Sequence, residues 1–336
     1  MTSRIFRSAA ALVLLLAALA GAAALAQAAF PGVAGPIAYQ RLALREPSPG
    51  SGEISWAGGI FTHGPERSDP PRRLTSEAMD ESPAYSPNGR LVVFAADPGT
   101  SASTRPHIYV MKADGSGMRQ LTSGPERDSH PSFSSSGRRI VFDRTTTGDE
   151  HFSHIFSVGV DGGEPTQLTA GAAARDSEPT FAPDGKTIAF VGERESNGAG
   201  NRFGIFAMRP GGSHIRPLVN GPGKDVEPDY SPDGRSIAFA SNRTHVLDIY
   251  VAAANGRHAR RLTDGRQSCF RGECFLSPSW APDGKHIAFI AEAHYSSDLE
   301  VMRPDGSQVK KFADGGIEED SLGFAIGGPS WGPAPR

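Results

Sequence analysis

Between Asp80 and Ala313 the chain alternates short apolar runs with turn signals, and the alternation keeps register. Val92-Val93-Phe94, Ile188-Ala189-Phe190, Ile237-Ala238-Phe239 and Ile287-Ala288-Phe289 are continuously apolar, the pattern of a strand covered on both faces. A turn tetrapeptide precedes each run. In Ser231-Pro232-Asp233-Gly234, proline presets φ, aspartate accepts local backbone hydrogen bonds and glycine supplies a positive φ. A second apolar stretch and hairpin turn follow, as in Ile108-Tyr109-Val110 before Asp114-Gly115. One unit thus predicts four strands, and no stretch beyond the N-terminal region has the apolar spacing of an amphipathic helix.

The unit recurs. The prolines that open its copies, Pro83, Pro131, Pro179, Pro228 and Pro278, lie 48 to 50 residues apart. Four-stranded units at such a period are propeller blades, whose face-to-face packing buries the middle strands on both sides. Near the C-terminus, Gly328-Pro329-Ser330-Trp331-Gly332-Pro333 copies Ser277-Pro278-Ser279-Trp280-Ala281-Pro282 and then lacks its next strand. That strand is expected at the other end, in Gly35-Pro36-Ile37-Ala38-Tyr39, with Glu53-Ile54-Ser55-Trp56 third and Arg72-Arg73-Leu74-Thr75 fourth. The expected fold is all-β, a six-bladed β-propeller of four-stranded blades. Blades span 80–122, 128–169, 176–219, 225–263 and 275–313, and a composite blade joins 35–75 to 320–336.

The repeated P-x-[FYW]-S-P-D-G-[RK]-x-[IL]-[AV]-F, followed by an Ile-Tyr-Val strand, a turn and [RK]-L-T, resembles the TolB-type, WD40-like β-propeller repeat. The second copy departs from it, with Ser134-Ser135-Ser136-Gly137 at the turn. The resemblance implies a propeller over residues 29–336. TolB carries an α/β domain before its propeller and related long peptidases carry a hydrolase domain after theirs; this sequence is expected to hold neither, so it reads as a stand-alone propeller.

Composition narrows the rest. The 336 residues include 40 Gly and 27 Pro without a collagen period, and the formal net charge of −3 leaves no footprint for nucleic acid. The tightest basic group, Arg257, His258, Arg260 and Arg261, reads as the guard of an exposed edge strand. Arg4 and Arg7 precede an Ala/Leu/Val run and small residues at Ala24-Leu25-Ala26 and Ala26-Gln27-Ala28. Residues 1–28 therefore read as a signal peptide, making the mature protein periplasmic or extracellular without a membrane span; an uncleaved anchor is the alternative. Cys269 and Cys274 are candidates for a local disulfide in such a compartment.

No G-x-S-x-G elbow, H-E-x-x-H motif or phosphate loop occurs, so no catalytic residue is assigned. Chemistry is sought where inner strands converge, in the residues just before each repeat proline: Asp80, Asp128, His130, Asp176, Glu178, Asp225 and Glu227. Converging carboxylates suit Ca²⁺ or another divalent cation, with His130, Glu178 and Glu227 the weak metal candidates, or a cationic ligand. The alternative is that each Asp accepts backbone hydrogen bonds within its own blade. The expectation is a monomeric scaffold that binds a protein or peptide, more a binding protein than an enzyme. The competing reading is a metal-assisted lyase or hydrolase acting on a small sugar or lactone in the channel.

Overall fold

A computed structural model describes residues 34–45, 55–64, 70–76, 80–97, 105–145, 152–171, 174–196, 200–265, 273–293, 296–313 and 321–333. The expected signal peptide lies outside them. The described elements are all strands, and no helix among them is long and apolar enough to cross a membrane.

One sheet has the order β4 (Glu81–Tyr85), β5 (Leu91–Ala96), β6 (His107–Lys112) and β7 (Arg119–Gln120). A second holds β16 (Asp225–Tyr230), β17 (Ser236–Ser241), β18 (Asp248–Ala253) and β19 (Arg260–Arg261). A third holds β20 (Glu273–Trp280), β21 (Ile287–Ala293), β22 (Ser296–Met302) and β23 (Lys310–Ala313). The fourth joins the two ends of the sequence: β24 (Ser321–Pro333) pairs antiparallel with β1 (Ala34–Arg45), followed by β2 (Ser55–His63) and β3 (Arg72–Arg73).

The remaining strands depart from six separate sheets. β8 (Arg127–Phe133), β9 (Arg139–Thr145), β10 (Ser153–Gly159) and β11 (Gly162–Gln167) join β12 (Arg175–Phe181), β13 (Ile188–Ser196), β14 (Gly200–Met208) and β15 (Arg216–Val219) in one eight-stranded sheet. The join is a single parallel bridge between Ser153 and Arg175, made as the Ser153 N–H donates to the Ala174 carbonyl at 3.0 Å. The described strands therefore form four four-stranded sheets and one double sheet.

The predicted motifs each have a visible task. Gly234 N–H donates to Ser231 O at 2.8 Å, and Asp233 Oδ1 accepts from Ser231 Oγ and Arg235 N. The turn Gly234, at φ 67°, packs on Pro183 of the preceding turn, and Gly137 and Gly284 sit likewise on Pro87 and Pro232. The threonine of the Leu-Thr pair that follows Arg or Gln accepts from the third strand: Ile60 N to Thr75, Ile108 N to Thr122, Ile155 N to Thr169 and Ile249 N to Thr263, each 2.9 to 3.0 Å.

Apolar strands face neighbouring sheets. Ala38 and Ile60 pack with Tyr85, Val92 and Phe94; Val93 and Ile108 with Phe133, Ile140 and Phe142; and Val141 and Ile155 with Phe181, Ile188 and Phe190. Ile205 and Leu218 pack with Tyr230 and Phe239, Ala238 and Ile249 with Phe275 and Phe289, and Leu276 and Ile290 with Ile37, Tyr39 and Trp331. Every repeat thus buries one face on its predecessor and one on its successor, removing apolar surface worth about 25 cal/mol per Å². The last repeat meets the first: Gly332 lies against the Tyr85 ring, where a Cβ would come within 2.5 Å of Cγ.

Candidate functional site

The residue before each repeat proline has a left-handed backbone: Ser82 φ 53°, His130 54°, Glu178 53°, Glu227 55°, Ser277 56° and Gly328 46°. Proline explains the location. It has no N–H for the ladder and disfavours the right-handed helical region for its predecessor, so the inner strand bulges there. Register shifts mark the bulge between Glu81 and Ala84, Ser129 and Ser132, Ser177 and Thr180, Val226 and Asp229, and Leu276 and Ser279. A left-handed non-glycine residue stores of order 1 kcal/mol, a strain the surroundings must offset.

The offset is a girdle of hydrogen bonds from one repeat to the next. Asp143 Oδ1 accepts from His130 Nδ1 at 2.6 Å and from Glu178 N at 3.1 Å. Glu178 Oε2 accepts from Glu227 N at 2.7 Å. Glu227 in turn accepts from Ser277 N at 2.8 Å and Ser277 Oγ at 3.1 Å. The bulge side chains Glu178 and Glu227 therefore each hold the bulge backbone one repeat further on, and Asp143, clamped to His130, holds that of Glu178. A second ring lies two residues later: Asp229 Oδ2 accepts from Trp280 N at 2.6 Å, Ser279 Oγ from Trp331 N at 3.2 Å and Ser330 Oγ from Tyr85 N at 3.2 Å.

Burial makes the girdle an electrostatic unit. It pulls His130 down, but the charge and hydrogen bond of Asp143, with Glu178 and Glu81 beside it, outweigh that and lift the imidazole to about 9. Burial raises Glu178 to about 7 against the opposing pull of His130 and the Glu227 N–H. Glu227 is raised well above the carboxylate range by burial and then by the charge of Glu178. Glu81 is raised by burial, which His130 and Arg127 only partly offset. His130 Nε2 is buried without a partner.

The candidate aspartates do other work. Asp128, fully buried, takes a two-pronged contact from Arg144 at 2.6 and 2.9 Å, with His107 Nδ1 at 3.5 Å. Burial alone would raise its carboxyl; the bonds from Arg144, His107 and Thr122 hold it below its usual value. Asp225 accepts from Ser241 Oγ, Arg243 and Gly221 N. Arg144 stacks on Phe142 and Phe156, and Arg243 on Phe239 and Tyr250. These two aspartates are inter-strand clamps, while Asp80 and Asp176 are buried at the same position of their strands. The structure thus joins His130, Glu178 and Glu227 in one network and commits Asp128 and Asp225 elsewhere.

Among the described residues no group of three or more His, Cys, Asp or Glu side chains is arranged to hold a metal ion. The acceptor oxygens of Glu178 and Glu227 face backbone N–H groups, and His130 faces Asp143. Cys274 is disulfide-bonded, and its candidate partner Cys269 lies outside the described residues. The sequence reading missed Asp143 and Asp229. The only local signal for Asp143 is an acid where the other repeats with a Phe on the second strand carry Ala, Val or Ile after it, as in Phe142-Asp143 against Phe190-Val191, Phe239-Ala240 and Phe289-Ile290.

Repeated four-stranded units packed face to face around a hydrogen-bonded inner girdle define an all-β propeller. Residues 175–334 match the family model of the TolB beta propeller domain. Among solved structures, TolB from Acinetobacter baumannii is similar at a TM-score of 0.68 and 19% identity, over 89% of this chain and 67% of that one. Kuenenia stuttgartiensis hydrazine synthase is similar at 0.67 and 15%, over 91% of this chain and 48% of that one. A chain of a nidogen/laminin complex is similar at 0.57 and 12%, over 86% and 98%. At such identities the likeness is one of fold, shared by an enzyme and a protein complex alike.

Proposed function

We propose that the protein is an exported, monomeric six-bladed propeller that binds a protein or peptide partner on the face formed by its Ser-Pro-Asp-Gly turns. The double sheet is read as two blades side by side, β8 to β11 and β12 to β15, with β24, β1, β2 and β3 as the composite blade. In support of this count, apolar clusters lie between every pair of consecutive repeats. Residues 1–28 act as the export signal, and the domain runs over 29–336.

The observation that carries the binding reading is a pair of wide clefts between turns of neighbouring sheets. One, of ≈ 920 Å³, is lined by Pro232, Asp233, Trp280, Pro282 and Lys285 among others; the second, of ≈ 700 Å³, by Pro36, Thr62, Pro71, Arg72 and Asp114. Rigid turns bearing prolines and separated charges offer a pre-ordered surface, which keeps the entropy lost on binding small. The inner girdle, by contrast, spends its polar groups on itself.

The test pairs affinity capture from envelope and culture-medium fractions with metal analysis of the purified protein. A specific partner whose affinity falls about tenfold or more on the exposed Lys285→Glu supports the reading, since about 1.4 kcal/mol of contact is then lost. A stoichiometric metal with no partner would overturn it in favour of the metal-assisted lyase or hydrolase.

A further inference from the structure

We propose that the inner girdle is a proton-operated clasp: it holds the repeats carrying β8, β12, β16 and β20 together while its carboxyls share protons, and it loosens when all of them are ionised. The proposal is independent of which face binds a partner.

The geometry points to it. Asp143, Glu178 and Glu227 form an unbroken relay, each accepting from the bulge backbone of the next repeat at 2.7 to 3.1 Å. One cation serves this relay directly, His130, held at 2.6 Å from Asp143. The charged groups that face it are Glu81 and Arg127 beside His130, then Asp143, Glu178 and Glu227; Ser277 closes the line with neutral donors. Four carboxyls with one imidazole in a buried setting cannot all ionise without mutual repulsion, so protons are retained.

A carboxyl that retains its proton still accepts a backbone N–H through its other oxygen and adds no charge to the line. Ionisation of Glu178 and Glu227 sets two negative charges one repeat apart, and loss of the His130 proton removes the cation between Glu81, Asp143 and Glu178. His130 Nε2 has no partner, so its proton is held by the surrounding carboxylates alone. Burial raises Glu178 to about 7 and Glu227 in the same direction, while against burial the charge and hydrogen bond of Asp143 lift His130 to about 9. Contacts between repeats at the rim include arginine donors on backbone carbonyls, Arg72 on Ala113 and Asp114, and Arg260 on Pro304 and Asp305, which carry no group that titrates over this range.

Amide hydrogen exchange on the full chain, corrected for intrinsic rates at each pH, tests the clasp. Between about pH 6 and about pH 9.5 the Glu178, Glu227 and Ser277 amides should lose about tenfold or more of their protection. The Leu121, Leu168 and Leu262 amides, bonded to Ile108, Ile155 and Ile249 carbonyls, should keep theirs. Glu178→Gln retains an accepting oxygen and removes the charge, and should reduce the loss. Glu227→Gln does the same one repeat on and serves if the first variant does not fold. Equal losses at girdle and rim, or an undiminished loss in the Gln variants, would overturn the proposal.

Discussion

The two halves of the inner girdle share a backbone and differ in chemistry. His130, Glu178 and Glu227 form one arc; Ser277, Gly328 and Ser82 form the other, and all six have φ between 46° and 56°. The first arc relays bonds to buried carboxyls from repeat to repeat, while at Gly328 there is no side chain to continue the relay. The bulge before the proline is thus what every repeat needs, and the side chain on it is free to specialise. The difference also separates strain from its relief: both arcs hold the left-handed backbone, but one of them fixes it with buried ionisable groups.

The largest effect should come from breaking the charged arc at its root. Asp143→Ala leaves His130 charged without its partner and Glu178 N–H without its acceptor, and should destabilise by about 3–5 kcal/mol in urea unfolding. A loss under about 1 kcal/mol would mean that the arc is solvated. Next in size is pH. The folded pKa of His130, about 9, lies above its unfolded value of 6.5, so its stabilisation is complete below 6.5 and fades as pH rises through 9. Glu178, raised from 4.5 to about 7, fades in the same direction over that lower range, and Glu227 shares the sign. Stability should therefore fall by roughly 2–3 kcal/mol from about pH 6.5 to about pH 9.5, and a flat or rising profile would contradict this.

Smaller changes set the two arcs directly against each other. Glu227→Ala, which strands the Ser277 N–H and hydroxyl, should destabilise by about 1–3 kcal/mol, against about 1 kcal/mol or less for Ser277→Ala, whose N–H keeps its acceptor. Equal losses in thermal melts would remove the distinction. The smallest effect is expected on the neutral arc: Ser82→Gly relieves a left-handed backbone but removes a buried hydroxyl, and should change stability by about 1 kcal/mol or less in either direction. A clear loss of stability there would show that the Ser82 side chain, rather than its backbone, matters.

The strands and turns were legible because local chemistry makes them: Pro232-Asp233-Gly234 turns as its residues require, and Ile237 to Ala240 is apolar because both faces are covered. The position of His130, Glu178 and Glu227 was also legible, since the repeat proline marks the bulge. Their partners were not. Asp143 meets Glu178 across 35 residues and Asp229 meets Trp280 across 51, contacts that exist only once neighbouring sheets pack. Asp128 and Asp225 looked like channel ligands because the sequence shows their spacing but not the arginines brought to them, Arg144 on the second strand and Arg243 in the turn after it. The fusion of two repeats into one sheet rests on the single Ser153 to Arg175 bridge, for which no motif exists.

The account turns on His130 being a buried cation clamped to Asp143, and an NMR titration of its labelled imidazole tests that most directly. The expected result is a midpoint of about 9 with Nδ1 protonated throughout. A midpoint near the ordinary 6.5 would show a solvated histidine and contradict the girdle as described.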